Sequence, residues 1–475
     1  MNKPRVVEAA SLREAGREPA TPFCLALEDN SDVVVSRLLR VLPGKRIVGE
    51  AQWQGRRVLA KLFVADHAER HWASEKSGIE ALLRAQVPTP ELLLATTLAG
   101  GGYVLLTRFL DDAQSLAQAW LPVAGLPPGH PDAVAVLHPA FAMLGKLHAA
   151  GLVHADLHLG NFLLGEGRCW VVDGDAVRAT ASAPAATENL ALLLAQLPSG
   201  WDAFRDELLR SYFSAGGCEI ADPKLLEREL ERARNWRLND FLKKTLRDCS
   251  LFAVTHRPSS FVAVRRDEQQ HLQPLLDGLD QAVTGGQLLK DGHTSTVARV
   301  ALAEHSLVVK RYNLKNALHA LSRAWRPSRA WHSWREGHRL SFFGIATPSP
   351  LALVEERLGP LRRRAFLINE FCPGPDLLTL LAPDRVPEDA MATAIVALFA
   401  ALHRLKISHG DLKATNLLWH AGKVVVIDLD ALRQHRSIVN HARAWRRDRA
   451  RLLRNWPADS VLHAWLDRQL PVADA

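Results

Sequence analysis

The chain has little of what marks a secreted or membrane-spanning protein. It contains only five cysteines, at positions 24, 169, 218, 249 and 372, and no close pair among them suggests a disulfide or zinc framework. The first twenty residues hold no apolar core of signal-peptide length. No run of eighteen apolar residues without a charge occurs anywhere. These absences predict a chain with reduced thiols in the cytoplasm.

Length and composition predict two globular domains. The 475 residues are too many for one core, and 48% are hydrophobic against 23% charged. Residues 1–250 hold 28 Lys and Arg against 30 Asp and Glu, whereas residues 251–475 hold 31 against 21. Segments 310–339 and 433–454 each carry eight basic residues and one acid. Such segments favour an anionic partner, the alternative being solvated helix faces.

The second half of the chain repeats the first. Residues 147–164 (LHAAGLVHADLHLGNFLL) align without a gap to residues 402–419 (LHRLKISHGDLKATNLLW). At the same offset of 255, residues 170–177 (WVVDGDAV) align to residues 425–432 (VVIDLDAL). In each copy the pattern predicts a strand with a Lys, a helix, a Pro-containing turn, an apolar strand, a long helix, a polar loop and a strand ending in Asp. A further helical region is predicted over residues 201–246.

Each copy carries a polar loop of the form H-x-D-x4-N, formed by His154, Asp156 and Asn161 and by His409, Asp411 and Asn416. Phosphoryl transfer from ATP needs an aligned nucleophile, cations on the phosphates and ligands for the metal. The Asp would accept or orient the proton of the attacking hydroxyl, and the Asn oxygen would bind Mg²⁺. One such loop is a weak signal and the alternative is a chance polar turn, but two loops in register are a strong signal.

A second acid follows each loop at a constant distance. Asp173 stands 12 residues after Asn161, and Asp428 stands 12 residues after Asn416. Both close an apolar strand, as the partner strand of a hairpin would. Carboxylate and amide oxygens suit a hard Mg²⁺ ion, so the pairs predict one metal site in each copy.

Two lysines, Lys61 and Lys310, lie inside apolar strands. Because an unpaired ammonium is costly there, pairing with ATP phosphates and a helix Glu would explain them. Glu75 and Glu336 are the candidates, the alternative being surface Glu on amphipathic helices. Neither half spells G-x-G-x-x-G, so a phosphate-covering loop is assigned by position only, just before each lysine strand.

At these residues the chain resembles known enzymes. HADLHLGN with VVDGD, and HGDLKATN with VIDLD, resemble the catalytic and metal-binding segments of the protein-kinase-like superfamily. In that superfamily a Lys at the place of Lys413 faces the transferred phosphate, and the first copy has His158 there. The segment KRYNLKNALHALSRAWRPSRAWHSWREGHRL, continuing into GIATPSPLAL, looks like bacterial lipopolysaccharide core kinases. So do LPGKRIVGEAQWQGRRVLAKLF and NLALLLAQLP.

The resemblance implies an α+β fold of two tandem protein-kinase-like domains, each with a small, mainly β N-lobe and a mainly helical C-lobe. The predicted bounds are an N-terminal extension over 1–30, a first domain over 31–245, a connection over 246–280 and a second domain over 281–475. The implied site residues fall into three roles: catalytic Asp156 and Asp411; metal-binding Asn161, Asp173, Asn416 and Asp428; and nucleotide-binding Lys61, Glu75, Lys310, Glu336 and Lys413.

The family phosphorylates heptose or Kdo sugars of nascent lipopolysaccharide with ATP and Mg²⁺, at the cytoplasmic face of the inner membrane. The expected partner is therefore lipopolysaccharide core or another anionic glycolipid, with peripheral contact to the inner-membrane surface and no nucleic acid. Trp325, Trp331 and Trp334, interleaved with arginines, suit sugar stacking or a headgroup surface, the alternative being a helix that packs its Trp side chains inward.

Two other functions stay open from the sequence. A protein kinase would carry an A-P-E segment soon after the strand-ending Asp, and neither copy has one. A tandem pseudokinase scaffold would have lost catalytic residues, yet both copies keep the Lys, Asp, Asn and Asp set.

Overall fold

The computed structural model describes residues 5–29, 31–179, 182–220, 222–313, 327–359 and 361–472. The chain divides into two units, Met1–Asn235 and Trp236–Ala475. Each unit has one large sheet followed along the chain by a mainly helical region, so the predicted α+β architecture, with a β-rich part before a helical part in each half, is confirmed. Among the described residues, every helix is too short or too polar to span a bilayer.

The first unit begins with a seven-stranded sheet in the order β1-β2-β3-β4-β5-β7-β6. Its strands are β1 (Arg5–Val6), β2 (Phe23–Ala26), β3 (Asp32–Leu42), β4 (Arg46–Trp53), β5 (Arg56–Phe63), β6 (Leu92–Thr97) and β7 (Tyr103–Arg108). Alternate residues of β5 (Val58, Ala60 and Leu62) are fully buried, as expected for a strand with one face on the core. This alternation leaves Lys61 on the opposite face.

The N-terminal segment belongs to this sheet, whereas the sequence predicted a separate extension over 1–30. Strand β2 pairs with β3, and the short helix α1 (Ala9–Glu14) packs Ala9 and Leu12 into the same core. Phe23 and Leu25 are 1% exposed. The large apolar side chains of the segment FCLALE are therefore buried in the β-rich lobe of the first unit.

The helical part of the first unit surrounds a core that includes Phe141, Leu144 and Tyr212. Its helices are α2 (Glu69–Arg84), α3 (Leu116–Trp120), α4 (Pro131–Ala149), α5 (Ala183–Leu194), α6 (Arg205–Ser214) and α7 (Pro223–Lys244), the last running across the unit boundary. The helical prediction for 201–246 is thereby confirmed. Strand β8 (Gln114–Ser115) precedes α3, and four short strands between α4 and α5 flank the polar loop: β9 (Leu152–His154), β10 (Phe162–Gly165), β11 (Arg168–Val171) and β12 (Val177–Ala179).

The second unit has its own seven-stranded sheet in the order β13-β14-β18-β19-β17-β16-β15. Its strands are β13 (Phe252–Arg257), β14 (Ser260–Arg265), β15 (Gln287–Gly292), β16 (Ser295–Leu302), β17 (His305–Tyr312), β18 (Pro350–Leu358) and β19 (Leu361–Glu370). Strands β15-β16-β17-β19-β18 match β3-β4-β5-β7-β6 of the first unit. The extra strand pair, however, lies on the opposite edge.

Residues 246–280 do not form the predicted connection. Strands β13 and β14 make a hairpin that pairs through β14 with β18, and helices α8 (Gln269–Leu276) and α9 (Leu279–Gly285) follow it. Phe252 and Phe261 are buried in the second unit's own core. These residues are therefore part of the second domain.

The rest of the second unit follows the order of the first. Its helices are α10 (Arg329–Phe342), α11 (Leu377–Leu380), α12 (Asp389–Arg404), α13 (Ile438–Leu453) and α14 (Val461–Gln469). The short strands are β20 (Ile407–Ser408), β21 (Leu417–His420), β22 (Lys423–Val426) and β23 (Arg433–Gln434). The hairpins β10–β11 and β21–β22 place the loop Asn and the strand-ending Asp of each copy at one end of a two-stranded ladder.

Candidate active sites

In the first unit the structure brings Lys61 and Glu75 together. Lys61 Nζ donates a hydrogen bond to Glu75 Oε1, and the Glu75 side chain is fully buried. Glu75 also accepts from the backbone N–H groups of Gly174 (3.1 Å) and Asp175 (3.2 Å). A buried carboxylate with one cation and two amide donors is well satisfied, so it holds the ammonium in a fixed place.

Asp173 lies beside this pair. Its Oδ1 is 3.5 Å from Lys61 Nζ and 3.8 Å from Arg46 Nη1. Burial alone would raise the pKa of Asp173, but the neighbouring groups, the Lys61 ammonium first among them, lower it to about 2, so the carboxylate is ionised at neutral pH. Its backbone is left-handed, with φ of +76°, a conformation that non-glycine residues adopt at a cost.

Helix α2 approaches the segment after Asp173 very closely. A Cβ on Gly78 would stand 1.9 Å from the Gly174 carbonyl oxygen, and a Cβ on Gly174 would stand 2.5 Å from the Glu75 carbonyl oxygen. Both positions therefore need glycine. This approach lets Glu75 reach the two backbone amides.

The polar loop of the first unit is tied to the same segment. His154 Nε2 donates to the carbonyl oxygens of Asp173 (3.0 Å) and Val172 (3.3 Å). Burial lowers the pKa of His158, while the charges of Asp156 and Asp173 oppose that shift. Asn161 is buried and its Oδ1 accepts from the His158 N–H at 3.0 Å.

The second unit holds its lysine differently. Lys310 Nζ donates to Asp428 Oδ1 at 2.7 Å and to Asp430 Oδ2 at 2.9 Å. Glu336 instead accepts from Arg339 one turn along the same helix, at 2.7 Å. The structure thus does not bring Glu336 to Lys310, and the placement predicted from sequence is corrected to Asp430. Asp428 repeats the left-handed backbone of Asp173, with φ of +59°.

Asp430 is the most heavily bonded acid of the second site. Besides Lys310, it accepts from Tyr312 Oη (2.6 Å), Ser333 Oγ (2.6 Å) and Arg329 Nη2 (2.5 Å). Burial would raise the pKa of Asp430, but the Lys310 and Arg329 cations outweigh it and lower the pKa to about 2. Three neutral or cationic donors besides the lysine therefore stabilise one ionised carboxylate.

Asp411 is already engaged by cations. Arg451 Nη2 lies 2.5 Å from Asp411 Oδ1, and Lys413 Nζ lies 3.3 Å from Asp411 Oδ2. Asn416 Nδ2 donates to the Asp411 carbonyl oxygen at 2.8 Å. His409 Nε2 donates to the Ile427 carbonyl oxygen at 2.9 Å, which repeats the tie made by His154 in the first unit. Lys413 thus lies next to the predicted catalytic acid.

Sequence reasoning missed one supporting residue in each copy. Asn189 Oδ1 accepts from the His154 N–H (3.1 Å), and its Nδ2 donates to the His154 carbonyl oxygen (2.7 Å). Asp448 accepts from the His409 N–H (2.6 Å) and the Gly410 N–H (3.0 Å), and burial raises its pKa. Both come from the helix after the strand-ending Asp. A polar residue amid the apolar positions of that helix was the available signal.

The predicted metal ligands are oxygen donors in suitable surroundings. Asp173 Oδ1 is buried without a hydrogen-bond donor, which is the condition expected of a ligand atom. Within the described ranges, no group of three or more His, Cys, Asp or Glu side chains forms a metal cluster. A cation here would accordingly need the Asn oxygen and phosphate oxygens in addition to the acid.

The described part of the Trp–Arg segment packs inward. Trp334 is fully buried and donates from Nε1 to the Thr245 carbonyl oxygen at 3.2 Å. Trp331 packs on Phe261 with ring centroids 4.9 Å apart. Trp325 lies outside the described residues. The alternative of inward-facing tryptophans therefore holds for Trp331 and Trp334.

A family model for the lipopolysaccharide kinase (Kdo/WaaP) family matches residues 57–208 and 283–472. No curated protein matches the chain. A solved structure titled "WaaP in complex with acyl carrier protein" is 21% identical, with 42% of this chain and 88% of that chain covered and a TM-score of 0.33. The structure of vaccinia related kinase 3 is 11% identical, with 48% and 89% covered and a TM-score of 0.31. Since the two matched segments span more than half of its residues, the chain belongs to the lipopolysaccharide kinase (Kdo/WaaP) family.

Proposed function

We propose that this phosphotransferase is an ATP-dependent sugar kinase that phosphorylates heptose or Kdo in the inner core of nascent lipopolysaccharide. One observation supports the proposal above all. In each copy the lysine of a central strand lies within 3.5 Å of the strand-ending acid, at 3.5 Å from Asp173 and 2.7 Å from Asp428. A nucleoside triphosphate with its metal ion requires a cationic side chain and a metal-binding acid close together.

The residues of each copy have distinct proposed roles. Asp156 and Asp411 accept or orient the proton of the sugar hydroxyl, and Lys61 and Lys310 neutralise phosphate charge. Asn161 with Asp173, and Asn416 with Asp428, would hold Mg²⁺. The bound ion would neutralise negative charge on the oxygens of the transferred phosphate.

Separate changes of the two catalytic acids test the proposal. Asp156→Asn and Asp411→Asn would be assayed with ATP, Mg²⁺ and purified core acceptor, following ADP release and the mass of the core oligosaccharide. We expect a loss of one phosphate from the product of at least one variant. Asp112→Asn and Asp384→Asn are the controls, because both side chains lie on exposed loops.

Three other outcomes discriminate between functions. Unchanged phosphate content and unchanged ADP release in both variants would contradict a kinase. A defect in partner assembly without phosphate loss would favour the scaffold function. Labelling of an added protein substrate, with no mass change in the sugar, would favour a protein kinase.

We also propose that the second unit contacts the anionic surface of the inner membrane through helix α13, which places the chain at its cytoplasmic face. Ile438 and Val439 at the start of α13 are 58% and 60% exposed. Exposed arginines lie along this helix and on its flanks: Arg433, Arg436, Arg443, Arg446, Arg447 and Arg454. Exposed apolar side chains at the end of a basic helix suit a headgroup surface, each basic residue contributing about 1 kcal/mol.

Vesicle sedimentation tests this contact. We expect binding to vesicles with anionic lipid that weakens with salt, and loss of binding in Arg443→Glu/Arg446→Glu/Arg447→Glu. Arg385→Glu, on an exposed loop, is the matched control. Equal binding of the triple variant and the wild type would contradict the proposal.

A further inference from the structure

Helix α2 follows the lysine strand β5, and helix α10 follows the lysine strand β17. The residues of these two helices correspond at an offset that the sequence repeat does not show directly. In the first unit the Val171 N–H donates to the Pro88 carbonyl oxygen, and in the second the Val426 N–H donates to the Ala346 carbonyl oxygen. These equivalent bonds relate the two helices by an offset of 258, three more than the loops. Glu75 then corresponds to Ser333, and Gly78 corresponds to Glu336.

A second equivalent bond supports this register. The Val87 N–H donates to the Leu82 carbonyl oxygen at 3.0 Å, and the Ile345 N–H donates to the Leu340 carbonyl oxygen at 2.9 Å. The second unit therefore has no acid at the helix position that holds Lys61 in the first. A buried lysine without a counter-charge would be costly, so the acid has to come from elsewhere.

The replacing acid is one that both copies possess. Asp175 and Asp430 are equivalent at the offset of 255, two residues after the proposed metal-binding acid. In the first unit the Asp175 side chain is 31% exposed and its only described side-chain partner is His71, at 3.4 Å. In the second unit the Asp430 side chain is 10% exposed and contacts Lys310.

Three substitutions between the copies converge on Asp430. Tyr312 stands where the first unit has Phe63, Ser333 stands where it has Glu75, and Arg329 stands where it has His71. Each change adds or strengthens a donor aimed at the Asp430 carboxylate. We name Tyr312, Arg329 and Ser333 the Asp430 socket.

The charge balance of the two sites is also preserved. The first site has two cations, Lys61 and Arg46, against Glu75 and Asp173. The second has Lys310 and Arg329 against Asp428 and Asp430. Arg46 is opposite Phe63 in the β4–β5 ladder, and the residue opposite Tyr312 in β16–β17 is Ser295, so one cation has moved from the sheet to the helix.

We propose that Asp430, held by the Asp430 socket, is the positioning residue for Lys310 and takes the part that Glu75 has in the first copy, so that the second copy keeps a nucleotide-phosphate site. The inference rests on the proposed kinase function. If the second copy no longer bound a nucleotide, three additional hydrogen-bond donors to the Asp430 carboxylate would serve no purpose in binding. Asp428 and Asp430 share Lys310, so Asp430 would still hold the lysine when Asp428 binds the metal.

Direct nucleotide binding to the full chain tests the inference independently of sugar phosphorylation. In a Lys61→Met background, which removes the first site, Mg²⁺–ATP binding would be measured by calorimetry. We expect Asp430→Asn to weaken binding about tenfold, because one charged contact that places the lysine is lost. Ser333→Glu added to Asp430→Asn returns the acid to the helix, and we expect it to restore most of the affinity.

Controls separate positioning from folding. Asp175→Asn in an Asp411→Asn background alters an outward-facing carboxylate, so we expect unchanged ATP affinity and unchanged kcat. Tyr312→Phe removes one donor and keeps the ring, so we expect a loss of a few-fold without a change in melting temperature. Where the second copy turns over, Asp430→Asn should lower kcat more than it changes the KM for sugar.

The inference is overturned if Asp430→Asn binds Mg²⁺–ATP as the Lys61→Met parent does. It is equally overturned if that parent binds no nucleotide, or if Ser333→Glu restores nothing in a protein that melts normally. Failure of the proposed function looks different, because nucleotide affinity would then follow these expectations while the core oligosaccharide gains no phosphate.

Discussion

In the first copy the lysine is held by Glu75 of helix α2, from outside the segment Asp173–Asp175 that follows strand β11. Glu75 also accepts hydrogen bonds from two backbone N–H groups of that segment. In the second copy the lysine is held from within the segment, by Asp428 and Asp430, and helix α10 contributes only Ser333 and Arg329 as donors to Asp430. The difference teaches that this fold fixes the site of the ammonium, and the acid that pairs with it can come from either side.

The sheets differ in a related way. Strands β1 and β2 extend the first sheet beyond β3, whereas β13 and β14 extend the second sheet beyond β18 on the other edge. An unpaired edge exposes backbone donors and acceptors, and each copy covers one edge with two added strands. These strands are a parallel pair in the first sheet and a hairpin in the second. The five shared strands that carry the lysine are unaffected by which edge is covered.

The largest expected effect is on kcat, and it comes from replacing the glutamate on the helix after the lysine strand. Glu75→Gln, assayed in an Asp411→Asn background, should lower kcat about a hundredfold, since Lys61 loses its fixed partner and turns to Asp173. Glu336→Gln, assayed in an Asp156→Asn background, should leave kcat unchanged, since Glu336 pairs with Arg339. Steady-state ADP release checks both, and equal losses in the two variants would contradict the assignment.

A second comparison concerns the residue under the polar loop. Asn189→Asp should lower the free energy of unfolding of the first unit by about 3 kcal/mol, because it buries a charge and leaves the His154 carbonyl oxygen without its donor. Asp448→Asn should cost less, since an amide oxygen still accepts from His409 and Gly410. Urea unfolding monitored by tryptophan fluorescence measures both. A larger cost for Asp448→Asn would show that the charge itself is required.

A third prediction concerns the stability of the second unit at acid pH, which depends on the buried His338. Burial, with a further contribution from Arg265, lowers the pKa of His338 to about 3 from its usual 6.5. Below pH 6.5 the unfolded chain therefore binds a proton at His338, whereas the folded unit does not bind it until the pH is near 3. The free energy of unfolding is accordingly highest above pH 6.5 and decreases as the pH falls toward 3. By pH 5 the loss is about 2 kcal/mol.

His338→Phe removes this proton and suits the aromatic neighbours Trp334 and Phe252. We expect urea unfolding of the variant at pH 5 to differ from that at pH 7 by about 2 kcal/mol less than in the wild type. An unchanged pH dependence would mean that other groups dominate acid unfolding.

The smallest expected effect concerns the residue two positions after the proposed catalytic acid. Because burial lowers the pKa of His158, its imidazole is mostly neutral at pH 7 and would neutralise less phosphate charge than the Lys413 ammonium would. His158→Lys in an Asp411→Asn background should raise kcat a few-fold, and Lys413→His in an Asp156→Asn background should lower it by about tenfold. Rates measured from pH 6 to 8 check the sign, since wild-type first-copy activity should rise as the pH falls.

The loops and hairpins of both sites were predictable because they are local. Asn161 and Asp173 flank the two ends of the β10–β11 hairpin, so spacing alone brings them together, and Asp156 precedes that hairpin in the same loop. Glu336 is the acid of the corresponding helix in the sequence, but its distance to the Thr-Pro turn differs by three residues from that of Glu75. Counting 14 residues back from Thr347, as from Thr89 to Glu75, reaches Ser333. The hairpin β13–β14 was missed because its alternation finds a partner only in β18, about a hundred residues away.

The paired acids after strands β11 and β22 have a consequence for the lysine partner. Asp175 stands two residues beyond Asp173, as Asp430 stands two residues beyond Asp428, so both copies have a carboxylate at the position that pairs with Lys310 in the second. The change of lysine partner between the copies thus involves substitutions around an aspartate that is present in both.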